Sequence, residues 1–593
     1  MAEYKNPQSE PGMEQRFLLV FLLMAVVIFG SQLLMRKYMP QQPPSSPHPS
    51  QPTQPAQGQP AQSSSAQGVA PSAGASAPNA ATMKQPASAK EAESESETVI
   101  ENDLYRITLT NRGAQAKSWI LKKYFDDDGR PLDLVNAAAS VKYGYPLSLW
   151  TYDEALRSKL SSALYVPSKT GNLSAPTGLV FEYSESGLVV RKELQFDHSY
   201  VIGVRTLVVL NGAPQYAFPS WPAGFGDQTN LSAFATGQFE YQINDNTEHI
   251  AAKKISSGNT LHGTFNWVGA STSYFGAIFI PDNIDNLNVV TLHGAIDVAP
   301  DPSKPTETKP ADVLGTAVGH PGESSARLFV GPKSLEVLES VPVPSIVGDH
   351  KDLRAVLNFG WFGLIARPLF AWRFVGLRWL NGYLHNWGWS IVIQTVIITL
   401  VLLPLRVYQI KSALKMQRVQ PQMKAIQEKY KKYSMRDPRK QDMQKEIGEL
   451  YKREGVNPVG GCLPLLFQMP FLYAYYRMLS TAIDLRQAHW LWIHDLSARD
   501  PYLLLPAVMV ISMFAMQKMT PQAGMDPSQQ KMMNIMMPAM MGFIFYNLAA
   551  GLNLYYAESN LIMILQQAIM NRTKLGLEMK EIAAKRARKK GSP

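Results

Sequence analysis

Between Trp387 and Met570 the chain carries five apolar runs, Trp387–Leu405, Leu463–Ile483, Tyr502–Gln517, Met532–Ala549 and Leu552–Met570. About 20 apolar residues cross ~30 Å of hydrocarbon, so this dense series predicts a bundle of membrane spans. Only Ala550-Gly551 separates the last two runs, which predicts an antiparallel helical hairpin turning at that pair. A sixth run, Phe17–Met35, lies between Arg16 and Arg36-Lys37. It predicts an uncleaved anchor (residues 1–38) rather than a signal peptide, because Glu3, Glu10 and Glu14 precede it and no small-x-small site follows promptly.

The rest of the chain is segregated by composition. Residues 39–98 are dominated by Pro, Gln, Ser, Ala and Gly, which cannot bury a core, so they predict a tether. Residues 99–350 alternate apolar and polar side chains in runs such as Leu104–Thr110, Leu188–Phe196, Tyr200–Leu210 and Ser273–Ile280, separated by Gly, Pro, Asn and Asp clusters. That texture predicts an antiparallel β-sandwich. Residues 351–386 interleave Trp361, Phe370, Trp372 and Trp379 with Arg354, Arg367, Arg373 and Arg378, the pattern of an amphipathic helix in the membrane interface.

Loop charge sets the orientation. Residues 405–458 hold 14 basic and 6 acidic side chains, and residues 571–593 hold 8 basic and 2 acidic, against 19 basic and 26 acidic in the β region. By the positive-inside rule the two basic segments and both termini are cytoplasmic, and the β region is outside. Within the first basic segment (406–458), Gln409–Tyr433 and Asp437–Glu454 have helical composition around a turn at Pro438, so a helical hairpin is expected, its first arm bent at Pro421. Lys424, Lys429, Lys431 and Lys432 of the hairpin, with Lys585, Arg586, Arg588, Lys589 and Lys590 of the tail (572–593), are candidates for contact with ribosomal or lipid phosphates.

Several motifs then carry a resemblance. Gln420-Pro421, the stretch Asn457-Pro458-Val459-Gly460-Gly461-Cys462-Leu463-Pro464, Gln468-Met469-Pro470, Leu485-Arg486-Gln487-Ala488, Trp492-Ile493-His494-Asp495-Leu496-Ser497, Ser559-Asn560 and Gln566-Gln567 resemble the signature of the YidC family of membrane protein insertases. The order anchor, tether, β domain, interfacial helix is similar to its Gram-negative members. The resemblance implies six transmembrane α-helices, five of them an insertase core (387–571), and a periplasmic all-β supersandwich. It also implies a bacterial inner-membrane protein that is an insertase and chaperone for nascent membrane proteins, acting alone or with the Sec translocon, and at the ribosome. No enzymatic activity, cofactor or small-molecule substrate is implied.

The residues themselves offer little chemistry. There is no P-loop and no G-x-G-x-x-G, and the lone Cys462 excludes an internal disulfide or a cysteine-built metal site. A secondary transporter or channel is the alternative, but no internal repeat is visible among the five unequal runs. In the family's pattern the first core span carries a Thr and, one turn on, a basic residue. Here the positions hold Thr395 and Thr399, so the family's positive groove charge is missing. Tyr473, Tyr476 and Arg477 share a helical face in the second run. Arg477 and Glu558 lie at matching distances from the outer surface, ~10 Å, and are a candidate pair in the substrate groove. Met509, Met513, Met536 and Met540 are candidates for an adaptable hydrophobic slide.

Overall fold

The computed structural model describes residues 89–228, 234, 236–299, 306–345, 351–358, 375–430, 433, 437–456, 475–476, 479, 482–519, 527–546, 548–574, 577 and 581. The expected anchor, the tether before Ala89, Tyr473, Arg477, Lys431, Lys432 and the basic tail from Lys585 lie outside them.

The β region forms three main sheets. A ten-stranded sheet runs in the order Asn246–Ala251, Gln238–Ile243, Phe265–Ser271, Phe275–Pro281, Glu323–Pro332, Val201–Leu210, Leu188–Phe196, Thr177–Glu185 and Val166–Pro167, with Ala213–Pro214 paired to Val201–Leu210. Two five-stranded sheets accompany it, one centred on Tyr105–Thr110 and one on Lys309–Gly319. The strands predicted from alternation are present as Tyr105–Thr110, Leu188–Phe196, Val201–Leu210 and Phe275–Pro281. In Leu188–Phe196 every second side chain is buried, as a strand with one covered face requires. Phe265–Ser271 and Phe275–Pro281 are buried at every position, as strands covered on both faces are. Trp119, Trp221 and Trp267 fill the interior, the first two in edge contact at 5.7 Å.

One pairing departs from the antiparallel expectation, since Glu97–Glu101 lies parallel to Gly171–Ser174. A parallel pair needs a long crossover, and the intervening chain, including helices α1 (Ala137–Tyr143) and α2 (Glu154–Ser162), supplies it. A third short helix, α3 (Leu335–Glu339), follows the last long strand.

The C-terminal part is helical. Residues 375–384 form a helix, followed by α4 (Trp387–Val401), α5 (Leu403–Lys429), α6 (Arg439–Arg453), α7 (Leu504–Met519), α8 (Pro527–Tyr546) and α9 (Ala550–Met570). The expected single run Trp387–Leu405 is instead broken at Leu402, where α4 and α5 meet at 52°. Pro404, in the first turn of α5, explains the break, because its ring removes an N–H and clashes with the preceding turn. Pro421, expected to bend the arm, lies inside the continuous α5. Ala550 and Gly551 are likewise not the turn but the first residues of α9, with Leu548 and Ala549 lying before it outside either helix. Among the described residues no single helix is long and apolar enough to cross a membrane, whereas Trp387–Val401 with Leu403–Ser412 passes as a bent pair. In α9 the polar Asn553, Glu558, Asn560, Gln566 and Gln567 dilute the apolar sequence.

The helical hairpin expected from composition is present. α5 and α6 close on Val419, Met423, Ile447, Leu450 and Val456, and the Tyr451 hydroxyl donates to the Met423 sulfur at 3.2 Å.

Candidate functional site

The loop 482–503 organises the helical core. Ile493 and Leu496 are buried, with Trp490 nearly so. Asn386 caps α4 by accepting from the Trp389 N–H, while its amide donates to the His489 carbonyl at 3.2 Å. Gly388 lets the helix approach the Trp490 ring, which a Cβ would meet at 2.1 Å. At the start of α9 the Ala550 N–H donates to Ala498 O at 2.6 Å and the Gly551 N–H to Leu496 O at 2.8 Å. Both helices thus leave one platform in the same direction. Thr395 and Glu558 each stand eight residues from their helix starts, ~12 Å along the axis.

These two side chains meet, the Thr395 hydroxyl lying against the Glu558 carboxyl. Thr395 is 1 % exposed, and its hydroxyl, with one proton to give, lies between that carboxyl and the Ile391 carbonyl at 2.7 Å. The Thr399 hydroxyl bonds back to the Thr395 carbonyl in the same way. Glu558 Oε2 is therefore shielded from water with no hydrogen-bond partner among the described residues. Its candidate partner Arg477 lies outside those residues.

Two neighbours escaped the sequence reading. Tyr475, wholly buried, packs on Tyr555 at 4.2 Å and donates to Gln394 Oε1 at 3.4 Å, extending the polar seam along α4. The sequence placed weight on Tyr476, which is half-buried against the same apolar cluster. No signal separates adjacent tyrosines until the helix is rotated against its neighbours. Asn553 is spent on structure, donating to the Phe545 and Leu548 carbonyls at the end of α8. Of the methionines proposed as a slide, Met536 is exposed, Met513 and Met540 are half-buried, and Met509 is buried within the bundle. On the hairpin, Lys429 is engaged by Glu446 at 2.6 Å, and Lys424 is half-buried.

The β domain sits on the same loop. The Arg486 guanidinium donates to Phe125 O at 2.7 Å and lies over the Phe275 ring at 5.8 Å. The Gln487 amide reaches Phe125 O and Asp126 O at 3.2 and 3.0 Å. Arg378 bridges Glu336 and Asp484, the latter at 3.9 Å. Behind this contact Asp227 is buried and accepts from the Thr272 hydroxyl at 2.8 Å. Burial pushes its carboxyl up to about 6 against the pull of Thr272 and Arg486. Burial likewise raises Asp495, against hydrogen bonds from Ser497.

Two buried charges inside the β domain have charged or polar partners. Lys192, 0 % exposed, donates to Gly113 O, Ala114 O and Leu147 O at 3.1, 2.7 and 2.7 Å. Burial pushes it down to about 7, while only the ammonium form has three N–H groups for three carbonyls. Glu240 meets Lys333 at 3.2 Å and the Ser271 hydroxyl. Burial opposes its ionisation, but Lys333, His249 and Ser271 outweigh that and hold its carboxyl down at about 2.

Residues 379–576 match the family described as 60Kd inner membrane protein, and residues 97–372 match the YidC periplasmic domain. The chain is 32% identical over 500 residues to the membrane protein insertase YidC of Geotalea uraniireducens, covering 80% of this chain and 87% of that one. Solved structures similar to it include an active YidC insertase with its first transmembrane domain resolved, at 19% identity and TM-score 0.32, spanning 82% of this chain and 94% of that one. Another is the YidC of Thermotoga maritima, at 13% identity and TM-score 0.25, spanning 80% and 99%. A putative aldose 1-epimerase of Escherichia coli K12 matches at 9% identity and TM-score 0.26 over 40% of this chain and all of that one.

Proposed function

The chain belongs to the YidC family of membrane protein insertases, inner-membrane proteins with a periplasmic domain, and from that premise we propose that it inserts nascent membrane proteins through the polar seam between α4 and α9. The observation that carries this reading is the line Thr395, Glu558, Gln394 and Tyr475 set inside otherwise apolar helices. Such a seam lowers the barrier for a polar client segment, because every unsatisfied backbone group in hydrocarbon costs several kcal/mol. The client's apolar segment then leaves into lipid, driven by burial at ~25 cal/mol per Å². No bond is made or broken, so the protein works without a catalytic residue, cofactor or small-molecule substrate.

The same reading assigns six spans with both termini cytoplasmic. Met536, Met513 and Met540 line the path along which apolar client helices slide, their flexible thioethers suiting unrelated partners. The α5–α6 hairpin receives the chain from the ribosome, aided by Lys424 and the tail, whose basic residues also meet anionic lipid. The protein acts alone or beside the Sec translocon, and assists folding as a chaperone.

The test uses proteoliposomes holding the full chain and a ribosome-bound, Sec-independent client. Insertion well above that into empty liposomes is expected, and photocrosslinks from position 476 should trap the client. Insertion no better than in empty liposomes would overturn the reading.

A further inference from the structure

Glu558 is the sole acidic residue in α4, α7, α8 and α9. The two formal cations of these helices, Lys518 and Lys531, stand next to last in α7 and in the second turn of α8. They therefore belong to the end of the bundle opposite the platform. Among the described residues of these helices Glu558 has no opposite charge beside it, ~12 Å from the platform end, where an ionisable group is costly and marks a functional position. Its surroundings fail to satisfy it in a specific way. The one hydroxyl at hand, on Thr395, is shared between the Glu558 carboxyl and the Ile391 carbonyl, and that of Thr399 turns back to the Thr395 carbonyl. Both bonds turn donors inward along α4, leaving Oε2 an acceptor without a donor among the described residues.

We infer that Glu558 makes this groove selective for clients whose translocated polar segment carries Lys or Arg. The inference rests on the insertase reading above and deepens it. A passing ammonium brings three donors and a guanidinium five, and either supplies both the charge and the hydrogen bonds that the seam lacks. A client carboxylate at the same depth would bring a further acceptor, and a like charge whenever both groups are ionised, with nothing to bridge the two. The contact must also be transient, and a single carboxylate offers one site to enter and to leave.

The experiment uses the full chain in proteoliposomes without a membrane potential. The clients are one single-span protein in three forms, with a neutral, a Lys-bearing or an Asp-bearing translocated segment, each corrected for insertion into empty liposomes. Wild type is expected to insert the Lys form roughly tenfold better than the Asp form. That ratio should fall to near one in Glu558→Gln, keep its sign in Glu558→Asp and reverse in Glu558→Lys. A wild-type ratio near one, or a ratio unchanged in Glu558→Gln, overturns the inference while leaving the insertase reading intact. Failure to insert even the neutral client overturns the insertase reading and this inference with it. Because the wild-type ratio decides alone, a variant that does not fold cannot shield the claim.

Discussion

Lys192 in the β domain and Glu558 in the helical core are both ionisable side chains drawn into the interior, the first wholly and the second in part, and the molecule treats them in opposite ways. Three backbone carbonyls at 2.7 to 3.1 Å surround the Lys192 ammonium, tying the turn at Gly113-Ala114 and the Leu147 segment to the central sheet. Glu558 has one hydroxyl beside it, shared with the Ile391 carbonyl, and an oxygen with no partner among the described residues. A saturated buried charge fixes a fold, because every group it touches needs it. An unsaturated one costs stability and keeps its capacity for a ligand, the usual exchange at functional sites.

The largest expected effect tests the first half of this contrast. Lys192→Met leaves three carbonyls without donors at ~1 to 3 kcal/mol each, so the β domain should lose at least ~3 kcal/mol, read as a lowered thermal midpoint of the full-length protein in detergent. An unchanged midpoint would mean that the carbonyls find other donors and that Lys192 is not a clasp.

The second half predicts the opposite sign. Glu558→Leu removes a polar group without its bond and should stabilise the helical core by ~1 to 3 kcal/mol while insertion falls. If the core loses stability instead, Glu558 is a structural charge like Lys192 and the contrast collapses.

A smaller effect sharpens the contrast at the contact between the two regions. Asp227 holds its proton up to about 6 when buried, against an ordinary value of 3.8. The folded state therefore binds more protons than the unfolded state between those values, so this contribution is complete below pH 3.8 and is lost as pH rises through about 6. Wild type should lose a few degrees of thermal midpoint between pH 4.5 and 7 relative to Asp227→Asn, which has no such proton to release. Glu240 does not confuse the comparison, since its carboxyl is held at about 2 and its own loss of stability comes on acidification below 4.5. Parallel pH profiles for the two proteins would remove Asp227 from the contact.

The smallest effect is expected on the hairpin. The Lys429–Glu446 pair lies at the surface, so Lys429→Ala should leave the thermal midpoint unchanged within error. A clear drop would show that α5 and α6 depend on that pair rather than on Val419, Met423, Ile447 and Leu450.

Local periodicity accounts for what could be read in advance. Strand Leu188–Phe196 was legible to the residue, and in the structure Lys192 takes its inward face between Val190 and Leu194. The α5–α6 hairpin was legible from helical composition, although its first arm begins at Leu403 and not at Gln409, while Thr395 entered through the family resemblance. The parallel pairing of Glu97–Glu101 with Gly171–Ser174 was not, because the partner lies beyond two helices and several strands. Ala550-Gly551 is the start of a helix and not the expected turn, because two small residues resemble a turn until their N–H groups are seen donating to Ala498 and Leu496.

By itself, then, the sequence determined where the chain is apolar, where it alternates and where it is basic, since those properties follow from side chains spaced a few residues apart. Only the tertiary structure decided that α4 and α9 start from one platform, that Thr395 therefore meets Glu558 at equal depth, and that Tyr475 rather than its neighbour faces Gln394. It alone showed Arg486 seated on Phe125 O, a contact between residues 361 apart. The reason is physical: burial and hydrogen-bond satisfaction are set by which elements come together, and the periodicity of one element carries no record of its partner's rotation or register.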